Sequence, residues 1–279
     1  MSQRGGKLDD IRKRIDAMDG EIHELLMRRG TLIAELQLAK GVGGPSGTSA
    51  MRPAREAQMM RALAERHSGD FPLIAAERIW REIIASFTQL QAPFRVMLTG
   101  DDEANLRELG RFYFGVATPL ETAADAEQVL EAVALNEDVA GVVVGDIKDS
   151  DWWARLAAAS DHPARIVARL PFFSDSNSSA PWSKTAYVVS RAAFEQSGAD
   201  RTLIVARSEE ALGDDLTRVF KTALTGHRVT VLASANLNQE RFTLFDVDGY
   251  VAPGSVKATD WITMRWIGGY PTPYSTSKV

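Results

Sequence analysis

The 279-residue sequence contains no cysteine, which excludes disulfides, thiolate catalysis and cysteine-ligated zinc. Its four histidines, His23, His67, His162 and His227, show no ligand spacing, so no metal site is expected. Long apolar runs are missing as well. Nothing approaches the roughly 18 apolar residues that a membrane span needs, and the longest candidate, VAGVVVG at 139–145, reads as a buried strand. A formal net charge of −5 argues against nucleic acid as a main partner. The glycine-rich stretch GVGGPSG lacks the Gly-Lys-Ser/Thr ending of a phosphate loop and follows a helical pattern rather than a strand; no cofactor is implied. The opening MSQRGGKLDDIRKR has no apolar run behind its basic residues, so no secretory signal is expected and a cytoplasmic protein is the reading.

What the sequence does have is the balance of a globular protein, 45% hydrophobic and 25% charged, at a length that suggests two or three units. The charge is uneven. Residues 1–94 carry 14 Lys and Arg against 12 Asp and Glu, while the remainder carries 18 against 25. A small anionic ligand bound near the start would suit that distribution.

Residues 8–39 hold the strongest pattern. Leu8, Ile11, Ile15, Met18, Ile22, Leu25, Arg29, Leu32, Leu36 and Ala39 step by three and four without a break, which predicts a heptad-like helix of roughly 45 Å. GVGGPSGTSA at 41–50 ends it as a loop. A second helix is predicted from Pro53 to about Arg66, with Met59, Met60 and Leu63 on its apolar side. A third is predicted from Leu73 to Gln91, with Trp80, Ile84, Phe87 and Gln91 on one face. One long, one short and one medium helix cannot bury so long a stripe alone, so a homodimer is expected.

Pro93 marks a boundary. Beyond it strands and helices alternate: strands at FRVMLTG, VAGVVVG and ARIVARL, helices at DEANLRELGRFYFG, AEQVLEAVA and SDWWARLAAA. This is α/β order. A polar loop at 174–183 leads to AYVVS, RTLIVARS, a helix near 211–225, HRVTVLAS and RFTLFDVDGYV, the order of a small α+β module. Trp152-Trp153 reads as core or interface. The expected architecture is therefore multidomain: an all-α three-helix unit over 1–93, an α/β domain over 94–197 and an α+β domain over 198–279.

Charges that break the apolar pattern point to chemistry. Arg29 occupies a seam position reserved for an apolar side chain; Lys40 lies near the same stripe and Arg12 flanks it. Arg55-Glu56 opens the second helix, with Glu56 on its apolar side, and Gln91 closes the third. A buried guanidinium needs an anion. That anion is either a Glu of a partner helix, as in register-setting pairs, or a small dianion that also offers a hydroxyl.

LDDIRKRIDAMDGEIHELLMRRGTLIAEL, then RPAREAQMMRAL, then IWREIIASFTQLQ, resembles the all-helical chorismate mutases over about residues 7–91. The resemblance implies an intertwined dimer with two equivalent sites that rearranges chorismate to prephenate. It implies that Arg12 reaches the partner's site to bind a substrate carboxylate and that Arg29 binds carboxylate in its own. Lys40 and Gln91 would address the ether oxygen, Glu56 would accept from the ring hydroxyl, and Arg55 would organise the site. Two positions depart: Arg52 stands where an Asp is common, and Phe87 where a small hydroxyl residue is common. An isochorismate pyruvate-lyase on the same fold is the alternative within this class. A non-catalytic helical dimerisation module serving a C-terminal sensor domain is the alternative outside it.

The remainder resembles a shortened prephenate dehydratase domain followed by its regulatory ACT-type partner, through LGRFYFG, VAGVVVGDI, ARLPFF and GADRTLIVARSEE. The dehydratase Thr-Arg-Phe motif is replaced by Lys184-Thr185-Ala186-Tyr187, and the Glu-Ser-Arg-Pro stretch associated with phenylalanine binding is absent. The expectation is a degenerate region that no longer dehydrates and serves regulation or assembly.

Overall fold

Apolar residues at three-and-four spacing, with no proline before Pro45, dictate one uninterrupted helix at the start. The computed structural model holds it as α1, Ser2–Lys40, 39 residues long, or roughly 58 Å at the α-helical rise. The structure describes residues 2–40, 47–158, 163–174, 184–208, 218, 222, 224–255 and 263–276. The chain divides into two compact units, Met1–Pro45 and Ser46–Val279, and α1 is the described part of the first. Leu8, Ile11, Ile15, Met18, Ile22, Leu25, Leu32 and Leu36, the large apolar members of the predicted stripe, are all exposed along it.

The second unit opens with a 3-10 turn, Gly47–Ala50. Thr48 fixes this turn, its N–H and Oγ1 both donating to the Glu137 carbonyl at 2.8 and 3.0 Å. Helix α2, Pro53–Arg66, starts with proline at its first turn, where the missing N–H costs nothing. Helix α3 is Leu73–Gln91. Met60, Ala57 and Ala64 of α2 are buried against Phe172 and Phe173, with Leu63, Trp80 and Ile84 packed around them.

The more deeply buried face of α3 is a different one from Trp80, Ile84, Phe87 and Gln91. It consists of Ala76, Glu77, Arg81, Ala85 and Thr88. Small alanines let α3 approach α4, Glu103–Phe114, and Glu77 and Arg81, one helical turn apart, neutralise each other in the gap.

From α4 onward the elements are β1 Arg95–Thr99 before it, then β2 Leu120–Thr122, α5 Ala126–Leu135, β3 Val139–Val144, α6 Trp152–Ala158, β4 Arg165–Leu170 and β5 Phe173–Ser174. Next come β6 Ala186–Ser190, β7 Asp200–Ser208, β8 Val229–Leu237, β9 Glu240–Asp248, β10 Thr263–Pro271 and β11 Tyr274–Ser275. The expected loop stretches at 41–46 and 175–183 and most of the expected helix near 211–225 lie outside the described residues. Asp102 and Asp125 cap α4 and α5 by accepting first-turn N–H groups.

Among the described residues nine strands form one mixed sheet in the order β2-β1-β3-β6-β4-β10-β7-β9-β8. The β2-β1-β3 edge and the β4–β10 pair are parallel, and the other neighbours antiparallel. On one face lie Trp152, Trp153, Val129 and Val133 with Ile166, Val189, Leu203 and Phe242. On the other, Leu106, Leu109 and Phe112 pack on Val96, Leu98, Val142 and Val188. Trp153 is fully buried and donates to the Ser150 carbonyl at 2.8 Å, so the tryptophan pair is core.

Sequence patterning misses β2, which is three residues long, and β10, TMRWIGGYP. Paired glycines in mid-strand read as a turn. In the sheet they mark an irregularity between Trp266 and Gly268 in the pairing with β7. Gly268 has φ +119°, and a Cβ there would run into the Ile166 backbone of β4.

Arg61 of α2 ties this helix to the sheet. Its Nη1 donates to the Ser197 carbonyl and hydroxyl at 2.9 and 3.1 Å, and its Nη2 to the carbonyls of Ala199 and Thr272 at 2.7 and 3.3 Å. The guanidinium lies 5.6 Å from the Phe172 ring centre. Burial pushes its pKa down against the pull of Asp200 and Glu65.

Gly268→Ala should cost about 3 kcal/mol or more, since it combines a strained positive φ with a backbone collision. Urea unfolding followed by tryptophan fluorescence checks this; a midpoint like wild type would show that β10 and β4 can separate cheaply.

Candidate active site

The six residues singled out in sequence divide three and three between the units. In the first, Arg12 is exposed and its Nη1 stands 3.5 Å from Asp9 Oδ1 within the same helix turn. Arg29 is half-buried amid exposed apolar neighbours, and desolvation pushes its pKa down. Lys40 is the last residue of α1; its side chain lies outside the described residues.

In the second unit, Arg55 is exposed on the first turn of α2. Gln91 is half-buried and its Nε2 donates to the Phe87 carbonyl at 3.2 Å. Arg52, the departure from the resemblance, donates twice to Glu195 at 2.9 and 3.0 Å on the surface. Phe87, the other departure, is on the same helical face as Gln91 and Ile84.

Glu56 is engaged by a buried arginine of α3. Its Oε2 is 3.3 Å from Arg81 Nη1, with the Glu56 side chain 22% exposed and that of Arg81 7%. Arg81 also donates through Nε and Nη2 to Glu77 Oε1, both at 3.3 Å. The guanidinium is 4.9 Å from the centre of the Tyr113 ring and 6.0 Å from that of Phe172. Tyr113 in turn accepts the Phe172 N–H at 3.2 Å. One cation therefore serves two carboxylates inside an aromatic wall.

Burial pushes the Glu56 pKa up, opposed by the charge of Arg81 and by a backbone hydrogen bond from Arg52. Glu77 is pushed up in the same way, again opposed by Arg81. Sequence reasoning found Glu56 and missed Arg81 and Glu77. A Glu-Arg pair at i, i+4 normally reads as a solvated helix face; the alanines on either side are the signal that this one is internal.

A separate cleft is lined by Asp101, Asp102, Asn105, Leu106, Leu109, Val144 and Lys184. Lys184 Nζ lies 3.2 Å from Asp101 Oδ2. Thr185 accepts from Arg169 Nη2 at 3.2 Å, and Ala186 and Tyr187 are buried in β6. Among the described residues no group of three or more His, Asp and Glu side chains could hold a metal ion. Among the same residues no helix is long and apolar enough to cross a membrane.

Residues 11–92 match the family described as Chorismate mutase type II. The N-terminal segment carries a chorismate mutase domain. All six residues singled out in sequence fall within the matched stretch. Two curated relatives are similar to the chain, both bifunctional chorismate mutase/prephenate dehydratases. That of Stutzerimonas stutzeri is 27% identical over 139 residues, covering 49% of this chain and 38% of the relative. That of Pseudomonas aeruginosa is 26% identical over 139 residues, with the same shares. The matched stretch thus spans less than two-fifths of either relative. Among solved structures, a prephenate dehydratase from Streptococcus mutans covers 65% of this chain and 99% of its own, at 16% identity and a TM-score of 0.47.

The buried acids of the mutase segment give a signed pH dependence. Above the ordinary carboxyl value of 4.5, the unfolded chain releases the Glu77 proton while the folded chain still holds it. Stability from this group is therefore present at low pH and is lost as pH rises through the raised folded value. Glu77→Gln removes the effect. Urea unfolding between pH 4 and 8 should show wild type losing more stability with rising pH than the variant; parallel curves would show that Glu77 titrates normally.

Proposed function

We propose that this chain is a chorismate mutase acting as a homodimer, an isomerase that rearranges chorismate to prephenate in aromatic amino acid biosynthesis. The observation that carries the reading is the family match over residues 11–92 with every chemically required side-chain type in place. The proposed site uses Arg12 from the partner's α1, Arg29, Lys40, Arg55, Glu56 and Gln91, with no cofactor. The proposed domains are 1–93, 94–197 and 198–279, and the proposed location is the cytoplasm.

The chemistry asks little beyond positioning. A [3,3] rearrangement needs no nucleophile and no proton transfer; the substrate must be held folded so that the bond-forming carbons approach. Arg12 and Arg29 would grip its two carboxylates and enforce that pose. As the carbon–oxygen bond breaks ahead of carbon–carbon bonding, negative charge grows on the ether oxygen, where Lys40 and Gln91 would donate. Glu56 would accept from the ring hydroxyl. Its desolvated setting makes such a hydrogen bond stronger than the same bond in water.

Dimerisation is supported by α1. Eight large apolar side chains are exposed along one stripe of it, and an isolated helix with such a stripe gains its stability from packing. We assign the α/β and α+β region a non-catalytic role in regulation or assembly. At the stretch standing in for the dehydratase motif, Lys184 is paired with Asp101 and Thr185 with Arg169, and Tyr187 is buried.

Loss of chorismate absorbance with formation of prephenate is the test. Lys40→Ala should lower kcat by about 100-fold or more, the scale of one lost donor to a developing oxyanion. Release of pyruvate from isochorismate without chorismate turnover would replace the mutase by a lyase, and dehydration of prephenate would overturn the non-catalytic assignment.

Sedimentation equilibrium should give a dimer that Ile15→Asp converts to monomer with loss of turnover. An active monomeric wild type would remove the shared-site reading.

A further inference from the structure

Arg81 is the residue on which the mutase segment and the sheet region converge. Within the second unit its guanidinium meets Glu56 of α2, Glu77 of α3, Tyr113 of α4 and Phe172 beyond β4. We propose that Arg81 is a positioning residue for the mutase reaction, holding the Glu56 carboxylate toward the substrate hydroxyl while Tyr113 and Phe172 of the α/β region hold Arg81 itself. This rests on the mutase reading above and gives the α/β region a mechanical part in it.

Geometry supports the assignment. A carboxylate on the fourth residue of α2 has several rotamers available, and ordering it takes a directional partner. A planar guanidinium supplies one, with fixed donor directions that an ammonium lacks. Arg81 makes its Nε and Nη2 contacts to Glu77 and reserves Nη1 for Glu56. The aromatic faces fix the guanidinium from the other side. Arg52, the cation at the entry of α2, is engaged with Glu195, so it is not what holds Glu56. The charged and titratable groups around Glu56 are then Arg81 and Glu77 from α3, the Arg52 backbone from its own helix start, and Tyr113 from α4 behind Arg81.

The test is the pH profile of kcat/KM for chorismate in wild type, Arg81→Gln, Arg81→Lys and Tyr113→Leu, with the side-chain carboxyl resonance of Glu56 followed by 13C NMR in the same proteins. Removing the cation removes the attraction that opposes burial, so in Arg81→Gln the Glu56 titration should move to higher pH. The acidic limb of kcat/KM should move with it, and kcat/KM at neutral pH should fall about 10-fold or more. Arg81→Lys keeps the charge without the fork: its limb should stay near wild type while kcat falls. Tyr113→Leu, which removes the ring face against the Arg81 guanidinium, should shift both readouts in the direction of Arg81→Gln by less.

A folded Arg81→Gln with the wild-type Glu56 titration overturns the proposal, whatever its activity, because a structural role alone would lower activity without moving the limb. Should Arg81→Gln fail to fold, Tyr113→Leu decides: an unmoved limb and titration overturn the proposal. If wild type leaves chorismate unchanged, the mutase reading fails, and the Glu56 titration still reports whether Arg81 governs that carboxylate.

Discussion

The second unit is organised by the approach of β10 to β4. At Gly268 the backbone of one strand passes so close to Ile166 of the other that no Cβ fits between them. That contact is the parallel register, Gly268 opposite Ile166, that pairs β10 with β4. Across it, the strands β2, β1, β3, β6 and β4 are joined to the antiparallel run β10, β7, β9 and β8. Without the glycine the two halves would present edges to solvent, and unpaired edges are aggregation templates. A single sheet instead gives one backbone frame against which the short helices can be placed.

Helices α2 and α3 are held to that frame by two arginines as well as by apolar burial. Arg61 satisfies carbonyls at Ser197, Ala199 and Thr272, which come from the approach to β7 and the end of β10. Arg81 does the corresponding work between α2, α3 and α4 with carboxylates and aromatic faces. Both interactions are directional. Apolar packing of Met60 and Ala64 on Phe172 and Phe173 sets how closely α2 approaches, but it tolerates sliding. A guanidinium with fixed donors does not. Such an arrangement suits a segment whose proposed chemistry depends on placement more than on reactivity.

The helices were legible because their signals are local. Leu8 to Leu36 announce α1 by period alone, and Pro53, Leu73 and Gln91 stand at the bounds of α2 and α3 found in the structure. The six proposed site residues were legible for a related reason: each interrupts a pattern or matches a motif. Arg81 and Glu77 do neither. Their burial follows from α4 lying against the Ala76–Ala85 face, a tertiary fact that the helix sequence does not encode. Strand β10 was hidden for the same kind of reason. Its Gly268-Gly269 pair lowers strand propensity locally, and only the close neighbour strand makes glycine the required residue.

Glu56 shows how the two levels meet. As a residue type on the apolar side of α2 it could be read from sequence as a hydroxyl acceptor. Its competence as an acceptor depends on remaining ionised in a desolvated place, and burial alone pushes it the other way. The opposing influences are the Arg81 charge and a backbone hydrogen bond from Arg52. Glu77 competes for the same cation, so the balance at Glu56 reflects how one positive charge is shared between two acids. Movement of Tyr113 or Phe172 would change that sharing through Arg81, whose guanidinium faces both rings. In this arrangement the α/β region bears on the Glu56 carboxylate through Arg81, whose guanidinium pairs with Glu56 and faces the Tyr113 and Phe172 rings.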